Sequence, residues 1–325
     1  MHAFEYASPT TLKDAMALLG SSWADAAVLA GGTDLISAMK DAVETPKRVV
    51  NIKGIKDLGG VAKKGSSLRI GALATFDDLA NNAVLRNEYP SIHKAVLGVN
   101  SPQLRNMGTA GGDLCQRPRC WYFRTGNGLL GMKDGKSLVL VGENQYHAIF
   151  GSGNTQFVSP SSLGPALVAL GAKLTLVSAA GSRTVGAEEF FMVPSSDSER
   201  ETALKPGEIL TEILVPAAAG KNSTYEIRER EALDWPLATA SVVLTMKGAS
   251  VGSAKVVMGH VGPKPVVSAE AAAFLAGKTI TEEIAEQAGA AAVKGAKPLS
   301  KNEYKVQLAK VAVKRAILQA AGKLA

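Results

Sequence analysis

The sequence predicts an α+β fold: an N-terminal part over 1–220, built from two subdomains at about 1–54 and 55–220, and a sheet-plus-helices domain over 221–325. Three observations predict it. Short apolar strand patterns alternate with amphipathic helical patterns through the N-terminal part. The composition then shifts at Pro216-Ala217-Ala218-Ala219-Gly220-Lys221-Asn222-Ser223, a linker signal. Beyond that shift, two strand patterns precede three alanine-rich helical patterns.

The elements follow in order. Leu12, Ala15, Met16, Leu18 and Leu19 form one face of a helix over 10–20, capped by Thr10 or Thr11. A strand at 26–29, a helix from Asp34 to about Val43 and a strand at 48–52 complete a β-α-β unit. Gly54 to Gly60 is a linker, Leu68-Arg69-Ile70-Gly71 a short strand, and Thr75 the cap of a helix containing Leu79 and Leu85. A helix ends at Leu167 to Leu170. Lys173 to Val177 and Arg183-Thr184-Val185, joined by Ala180-Gly181-Ser182, form a hairpin, and Glu208 to Val215 is a further strand. In the last domain the strands are Ala240 to Met246 and Ala254 to Met258. The helices are Ala269 to Ala276, Thr281 to Lys294 and Asn302 to Ala321, the last with Val306, Leu308, Val311, Val313, Ile317 and Leu318 on one broad face read as core.

Two stretches stand out within this frame. Ala30-Gly31-Gly32-Thr33-Asp34-Leu35 and Thr109-Ala110-Gly111-Gly112-Asp113-Leu114 lie 80 residues apart and read almost as copies. A glycine pair alone is an ordinary turn signal among 33 glycines. Two pairs, each with a neighbouring Thr and Asp, point further. Paired glycines lack the Cβ atoms that hold a backbone away from a ligand, and they permit positive φ. Free N–H groups beside a Thr hydroxyl suit a pyrophosphate, so two such loops predict a dinucleotide held from two sides. Neither loop is a Rossmann fingerprint or a Walker loop. Asp34 carries a second reading as a helix N-cap.

Composition bounds the classes. With 46% hydrophobic and 20% charged residues the chain reads as an ordinary globular protein. No apolar run reaches the roughly 20 residues needed to span a bilayer, and Glu5 without a basic n-region predicts no secretory leader. The expectation is a cytoplasmic protein, with export of a folded complex through a partner's signal left open. The net charge of +7 is scattered and aromatics are 5%, so a nucleic-acid partner is not expected; the charge steers an acidic protein partner or solubilises the surface. Cys115 and Cys120 are too few for an iron–sulfur cluster, and His2, His93, His147 and His260 show no ligand spacing, so both thiols are read as reduced and partly buried and no metal site is expected. No triad or paired-carboxylate pattern stands out, so no catalytic residue is assigned.

These landmarks resemble the FAD-binding medium subunit of the molybdenum hydroxylases, the group holding xanthine dehydrogenase, carbon monoxide dehydrogenase and bacterial aldehyde oxidoreductases. The resemblance runs over essentially the whole chain. It includes Phe4-Glu5-Tyr6-Ala7-Ser8-Pro9, the first loop, Ser101-Pro102-Gln103-Leu104-Arg105-Asn106 before the second loop, and Pro160 to Leu167. It continues through Lys205-Pro206-Gly207-Glu208-Ile209-Leu210 and Gly259-His260-Val261-Gly262-Pro263. It implies a two-subdomain FAD-binding fold of the p-cresol methylhydroxylase type, with FAD extended between the parts. It implies Leu29 and Ala30 to Leu35 on the pyrophosphate and ribose side. Ser101, Gly108, Thr109, Gly111, Gly112 and Asp113 are implied opposite, with Ser162 and Leu210 completing the cofactor set.

The resemblance also implies a role: an electron-transfer subunit of a heterotrimer. Substrate is oxidised on a molybdenum-cofactor large subunit, electrons cross the [2Fe-2S] clusters of a small subunit, and the flavin passes them to an external acceptor. A stand-alone flavin oxidase and an FAD-less structural subunit are the alternatives. Three departures from the family pattern matter. Ser162 stands where many relatives have Asp, and Glu226 stands where relatives place Lys. Gln116 to Arg124 resembles the start of an insertion that holds an extra [4Fe-4S] cluster, with Cys120 at the first ligand, yet 126–155 contains no cysteine. The insertion is read as kept without its cluster, its Trp121, Tyr122 and Phe123 packing the loop.

Overall fold

The computed structural model describes residues 1–230 and 234–324. The first unit is a three-stranded parallel sheet in the order β1-β3-β2, from β1 (Glu5–Ala7), β2 (Ala26–Leu29) and β3 (Arg48–Asn51). Helices α1 (Leu12–Ala17) and α2 (Leu35–Lys40) make the connections. Thr11, not Thr10, caps α1 by accepting the Asp14 N–H. Ala15, Leu19, Val50, Ile52 and Ile55 are buried together beneath the sheet.

The second unit is a five-stranded antiparallel sheet ordered β4-β5-β10-β8-β9. Its strands are β4 (Val61–Lys64), β5 (Ser67–Gly71), β8 (Lys173–Ser178), β9 (Gly181–Gly186) and β10 (Ile209–Val215). β4 escaped the sequence reading because its Lys63 and Lys64 break the apolar pattern; both are exposed on an edge strand, which charged side chains protect from pairing. The helical pattern after Thr75 divides into α3 (Phe76–Ala80) and α4 (Ala83–Glu88), each with its own cap, Thr75 and Asn82. α5 (Pro90–Gly98), α6 (Pro102–Met107) and α7 (Ala110–Cys115) follow. The insertion then contributes α8 (Trp121–Arg124), a small hairpin of β6 (Met132–Lys133) and β7 (Lys136–Ser137), and α9 (Leu138–Val141). α10 (Leu163–Ala169), entirely buried, and α11 (Ala187–Phe190) complete the unit.

The third unit is a four-stranded antiparallel sheet of β11 (Lys221–Ile227), β12 (Ala238–Lys247), β13 (Ser250–Gly259) and β14 (Val266–Val267). Helices α12 (Ala269–Leu275), α13 (Glu282–Ala292) and α14 (Tyr304–Ala320) pack on it. The buried face of α14 runs through Ala309, Ala312, Val313, Ala316, Ile317, Leu318 and Ala320, so the expected Val313, Ile317 and Leu318 are core and alanines share the contact, with Val306 and Leu308 packed at its margin. Small side chains bring helix and sheet axes close, and the alanine-rich sequence serves that approach. Helix and strand thus mix as the sequence predicts, in an α+β architecture.

Candidate functional site

A cleft of about 330 Å³ opens between the first and second units. Ala30, Gly31, Gly32, Thr33, Asp34 and Leu35 line one side, with Trp23 and Val28. Gly108, Thr109, Gly111, Gly112 and Asp113 line it from the second unit, with the apolar Ala72, Leu73, Phe76, Val99 and Leu104. Ser162 and Leu210 also face it. Leu29 and Ser101 do not. Leu29 packs its Cδ1 beneath Gly32, and Ser101 is a buried N-cap whose Oγ accepts the Leu104 N–H at 3.3 Å.

The two glycine loops, alike in sequence, differ in backbone. In the first, Gly32 has φ +77°, and the N–H groups of Gly31, Gly32, Thr33 and Asp34 meet no protein acceptor among the described residues. That is an open nest facing the cleft. The second loop is a helix start. Thr109 caps α7, accepting the Gly112 N–H at 3.1 Å, while Ala110 and Gly111 donate to the carbonyls of Ala74 and Ala72 at 2.9 and 2.8 Å. Neither Gly111 nor Gly112 has positive φ. The expectation of a matching second nest is corrected: the amides of Ala110, Gly111 and Gly112 are spent inside the protein.

Glycine is required for a different reason than ligand approach at two of these positions. A Cβ on Gly31 would lie 1.9 Å from the Met107 carbonyl oxygen, and one on Gly111 would lie 2.8 Å from the Ala72 Cβ. Each glycine lets the chain pass against a neighbouring segment, Gly31 against the second unit and Gly111 within that unit.

Asp34 occupies the residue before α2, but its side chain makes no cap hydrogen bond. Its carboxylate reaches across to the insertion. It accepts the Arg117 N–H at 2.7 Å and pairs with Arg124 Nη2 at 2.7 Å and Arg119 Nη1 at 2.9 Å. Arg117 in turn pairs with Glu44, and through Nε with Glu201 at 2.5 Å; Arg200 joins Glu44 at 3.0 Å. The guanidinium of Arg200 lies 4.7 Å from the Trp23 ring centroid, and that of Arg119 lies 4.7 Å from the Trp235 centroid. Charge-assisted pairing with guanidinium forks fixes the first loop to a segment 80 to 90 residues away.

Asp113 is buried and holds α10. Its Oδ2 accepts from Ser161 Oγ at 2.5 Å and the Leu163 N–H at 3.0 Å; its Oδ1 accepts from the Ser162 N–H at 3.2 Å and Gln116 Nε2 at 3.0 Å. Burial pushes its carboxyl up to about 6 against those bonds. The Glu226 side chain, 7% exposed, pairs with Arg228 over Gly98, and burial of the carboxyl pushes it up to about 7. At this position, where a cation was the family expectation, the charge is an internal ion pair.

Both cysteines are free. Cys115 is exposed into the cleft, yet the surrounding walls and the nearby carboxylates of Asp113 and Glu201 push its thiol up to about 12, so it stays protonated. Cys120 Sγ lies 3.1 Å from His147 Nε2, a pairing across 27 residues that no sequence spacing announced. Burial and the Lys305 charge bring His147 down to about 4. Trp121 meets Tyr122, Tyr146 and His147 edge to face, and Phe123 packs with Leu129 and Phe157. Among the described residues no group of three or more His, Cys, Asp or Glu side chains could hold a metal ion. The far end of the insertion docks on the third unit: Lys305 Nζ donates to the carbonyls of Tyr146, His147 and His260 at 3.1, 3.1 and 2.8 Å.

Residues 2–218 match the family described as the FAD binding domain in molybdopterin dehydrogenase, and residues 223–320 match the CO dehydrogenase flavoprotein C-terminal domain. The chain belongs to this family. It is an FAD-binding medium subunit of the molybdenum-hydroxylase type, an oxidoreductase component. It is 30% identical over 324 residues to the carbon monoxide dehydrogenase medium chain of Afipia carboxidovorans, covering 98% of this chain and 96% of that one. To the aldehyde oxidoreductase FAD-binding subunit of Escherichia coli it is 29% identical, covering 95% and 96%. The solved carbon monoxide dehydrogenase of Hydrogenophaga pseudoflava superposes with a TM-score of 0.77 at 27% identity, covering 100% of this chain and 99% of that one. A cyanide-inactivated Cu,Mo-CO dehydrogenase gives 0.78 at 27%, covering 99% of both.

For this medium subunit, sequence reasoning missed the arginines 117, 119 and 200 and the tryptophans 23 and 235 as cleft residues. The arginine-rich run directly after the second loop was a usable signal, since Asp34 and Glu44 offered unmatched negative charge. Trp235 carried none.

Proposed function

We propose that the cleft holds FAD and that this flavin relays electrons from [2Fe-2S] clusters on a small partner subunit to an external acceptor, after substrate is oxidised on a molybdenum-cofactor large subunit. The reading takes 1–220 as the FAD-binding domain and 221–325 as its C-terminal companion. The observation that carries it is the open nest of the first loop: unpaired amides on the cleft wall are the donor set a pyrophosphate takes. The apolar Phe76, Val99 and Leu104 suit a flat heteroaromatic ring.

Bound there, FAD supplies the redox chemistry, accepting and releasing electrons without a catalytic side chain. The chain's own residues bind and orient. Gly31 to Asp34 offer their N–H groups, and the arginines around Asp34 keep that loop in place. Asp113 is committed to α10, so no free acid or base converges on the cleft from it. Ser162, with a hydroxyl in place of a carboxylate, is the weaker polar contact at that wall.

The anaerobic test mixes the purified flavoprotein with the large and small subunits and substrate, and follows flavin bleaching. Bleaching only in the complete mixture is expected. Bleaching by a small organic substrate with this chain alone, at the rate of the full complex, would establish a stand-alone oxidase; purified chain that takes up no FAD would establish an FAD-less subunit.

A further inference from the structure

We propose that Trp235, from the segment between β11 and β12, is a cofactor-binding residue that stacks on one planar heteroaromatic ring of the bound dinucleotide. The proposal rests on the reading that the cleft holds FAD. Among the described residues Trp235 is the C-terminal unit's contribution to the cleft wall, and it remains 44% exposed. A large indole left open at the mouth of a concave site is the kind of surface a flat ligand ring covers.

Its place relative to the nest is fixed by a single side chain. The Arg119 guanidinium lies 4.7 Å from the Trp235 centroid, and Arg119 Nη1 is 2.9 Å from Oδ1 of Asp34, whose N–H is the last of the free amides. Arg119 therefore bridges the indole to the loop that takes the pyrophosphate, and the ring of a dinucleotide lies within one phosphate and one sugar of that loop. Trp23 repeats the device on the first unit, backed by Arg200 at the same 4.7 Å. FAD carries two such rings, adenine and isoalloxazine, and either could be the one on Trp235; the shared chemistry is a flat π-face.

The experiment measures binding of FAD, ADP and FMN by calorimetry to wild type, Trp235→Phe and Trp235→Ala, with thermal unfolding as a check of folding. Removing a stacking partner weakens binding of a flat ring, so Trp235→Ala should lose about tenfold in FAD affinity. The loss should recur with ADP alone if adenine is the stacked ring, or with FMN alone if isoalloxazine is. Trp235→Phe, which keeps an aromatic face, should stay within about threefold of wild type. FAD binding to Trp235→Ala as tight as to wild type would overturn the stack, as would equal weakening of ADP and FMN or a Trp235→Phe as weak as Trp235→Ala. Wild-type protein that binds no FAD at all would instead remove the parent reading, and the stack with it.

Discussion

Replacing Gly31 by Ala tests whether close backbone passage demands glycine at this position. The new Cβ would lie 1.9 Å from the Met107 carbonyl oxygen and 2.7 Å from its carbon. Met107 cannot simply retreat, because the next residue is pinned on both sides: the Gly108 N–H donates to Leu104 O, and its carbonyl accepts the Phe76 N–H. Overpacking costs about 1–3 kcal/mol, and a clash with pinned backbone belongs at the upper end, about 3 kcal/mol. Gly32→Ala is the control. There the Cβ would meet only side-chain carbons, Leu29 Cδ1 at 3.1 Å and Ile36 Cγ1 at 3.3 Å, so the cost is the left-handed φ of +77°, about 1–2 kcal/mol. With about 2.1 cal/mol/K of unfolding entropy per residue over 325 residues, Gly31→Ala should lower Tm by about 4–5 °C. Gly32→Ala should lower it by about 1.5–3 °C on the same basis. Scanning calorimetry of both variants reads the order directly. A Gly31→Ala protein melting within about 1 °C of wild type, or one more stable than Gly32→Ala, would refute the argument.

Other outcomes follow from the charges and the cysteines. Asp34→Asn keeps an acceptor for the Arg117 N–H but leaves Arg119 and Arg124 without their carboxylate, so denaturant unfolding should show a loss of about 2–3 kcal/mol. Combined with Arg124→Leu the loss should be less than additive; full additivity would mean the pair does not interact. His147 stays neutral in the fold down to about pH 4, whereas the unfolded chain takes up its proton near 6.5. The unfolded state thus binds more protons in that window, and wild-type stability falls with decreasing pH by up to ~1.4 kcal/mol per pH unit from this group. The stability gap between wild type and His147→Gln should shrink from pH 7 to pH 4, and a constant gap would contradict the neutral imidazole. Iron analysis of the isolated chain should find less than stoichiometric metal, given two free cysteines; four irons per chain would show that other ligands hold a cluster.

What could be read from the sequence was local. Strand β2, the following glycine loop and helix α2 follow from apolar runs and a glycine pair within 15 residues of chain, 26–40. The cap at Thr75 is visible because a cap and its amide lie three residues apart. The same locality misled at the second loop. Gly111 and Gly112 look like a nest, but whether their amides are free depends on Ala72 and on the Thr109 hydroxyl orientation. The α14 face was legible as core, since Val313, Ile317 and Leu318 are buried and Val306 and Leu308 pack against the same cluster; the alanines that share the contact went unnamed because small residues give a weak apolar signal.

The sequence by itself determined the element types, the glycine-loop pair and the family landmarks. These depend on short-range sterics, hydrophobic period and residue order. Only the tertiary structure decided that Asp34 faces arginines of the insertion instead of capping its helix. It also decided that Asp113 serves α10, that Cys120 meets His147, and that Trp235 closes the cleft from the third unit. Each is a meeting of side chains at least 27 residues apart, or of separate units. Coulomb attraction and hydrogen bonding choose partners by distance in space, and that distance exists only after the chain has packed.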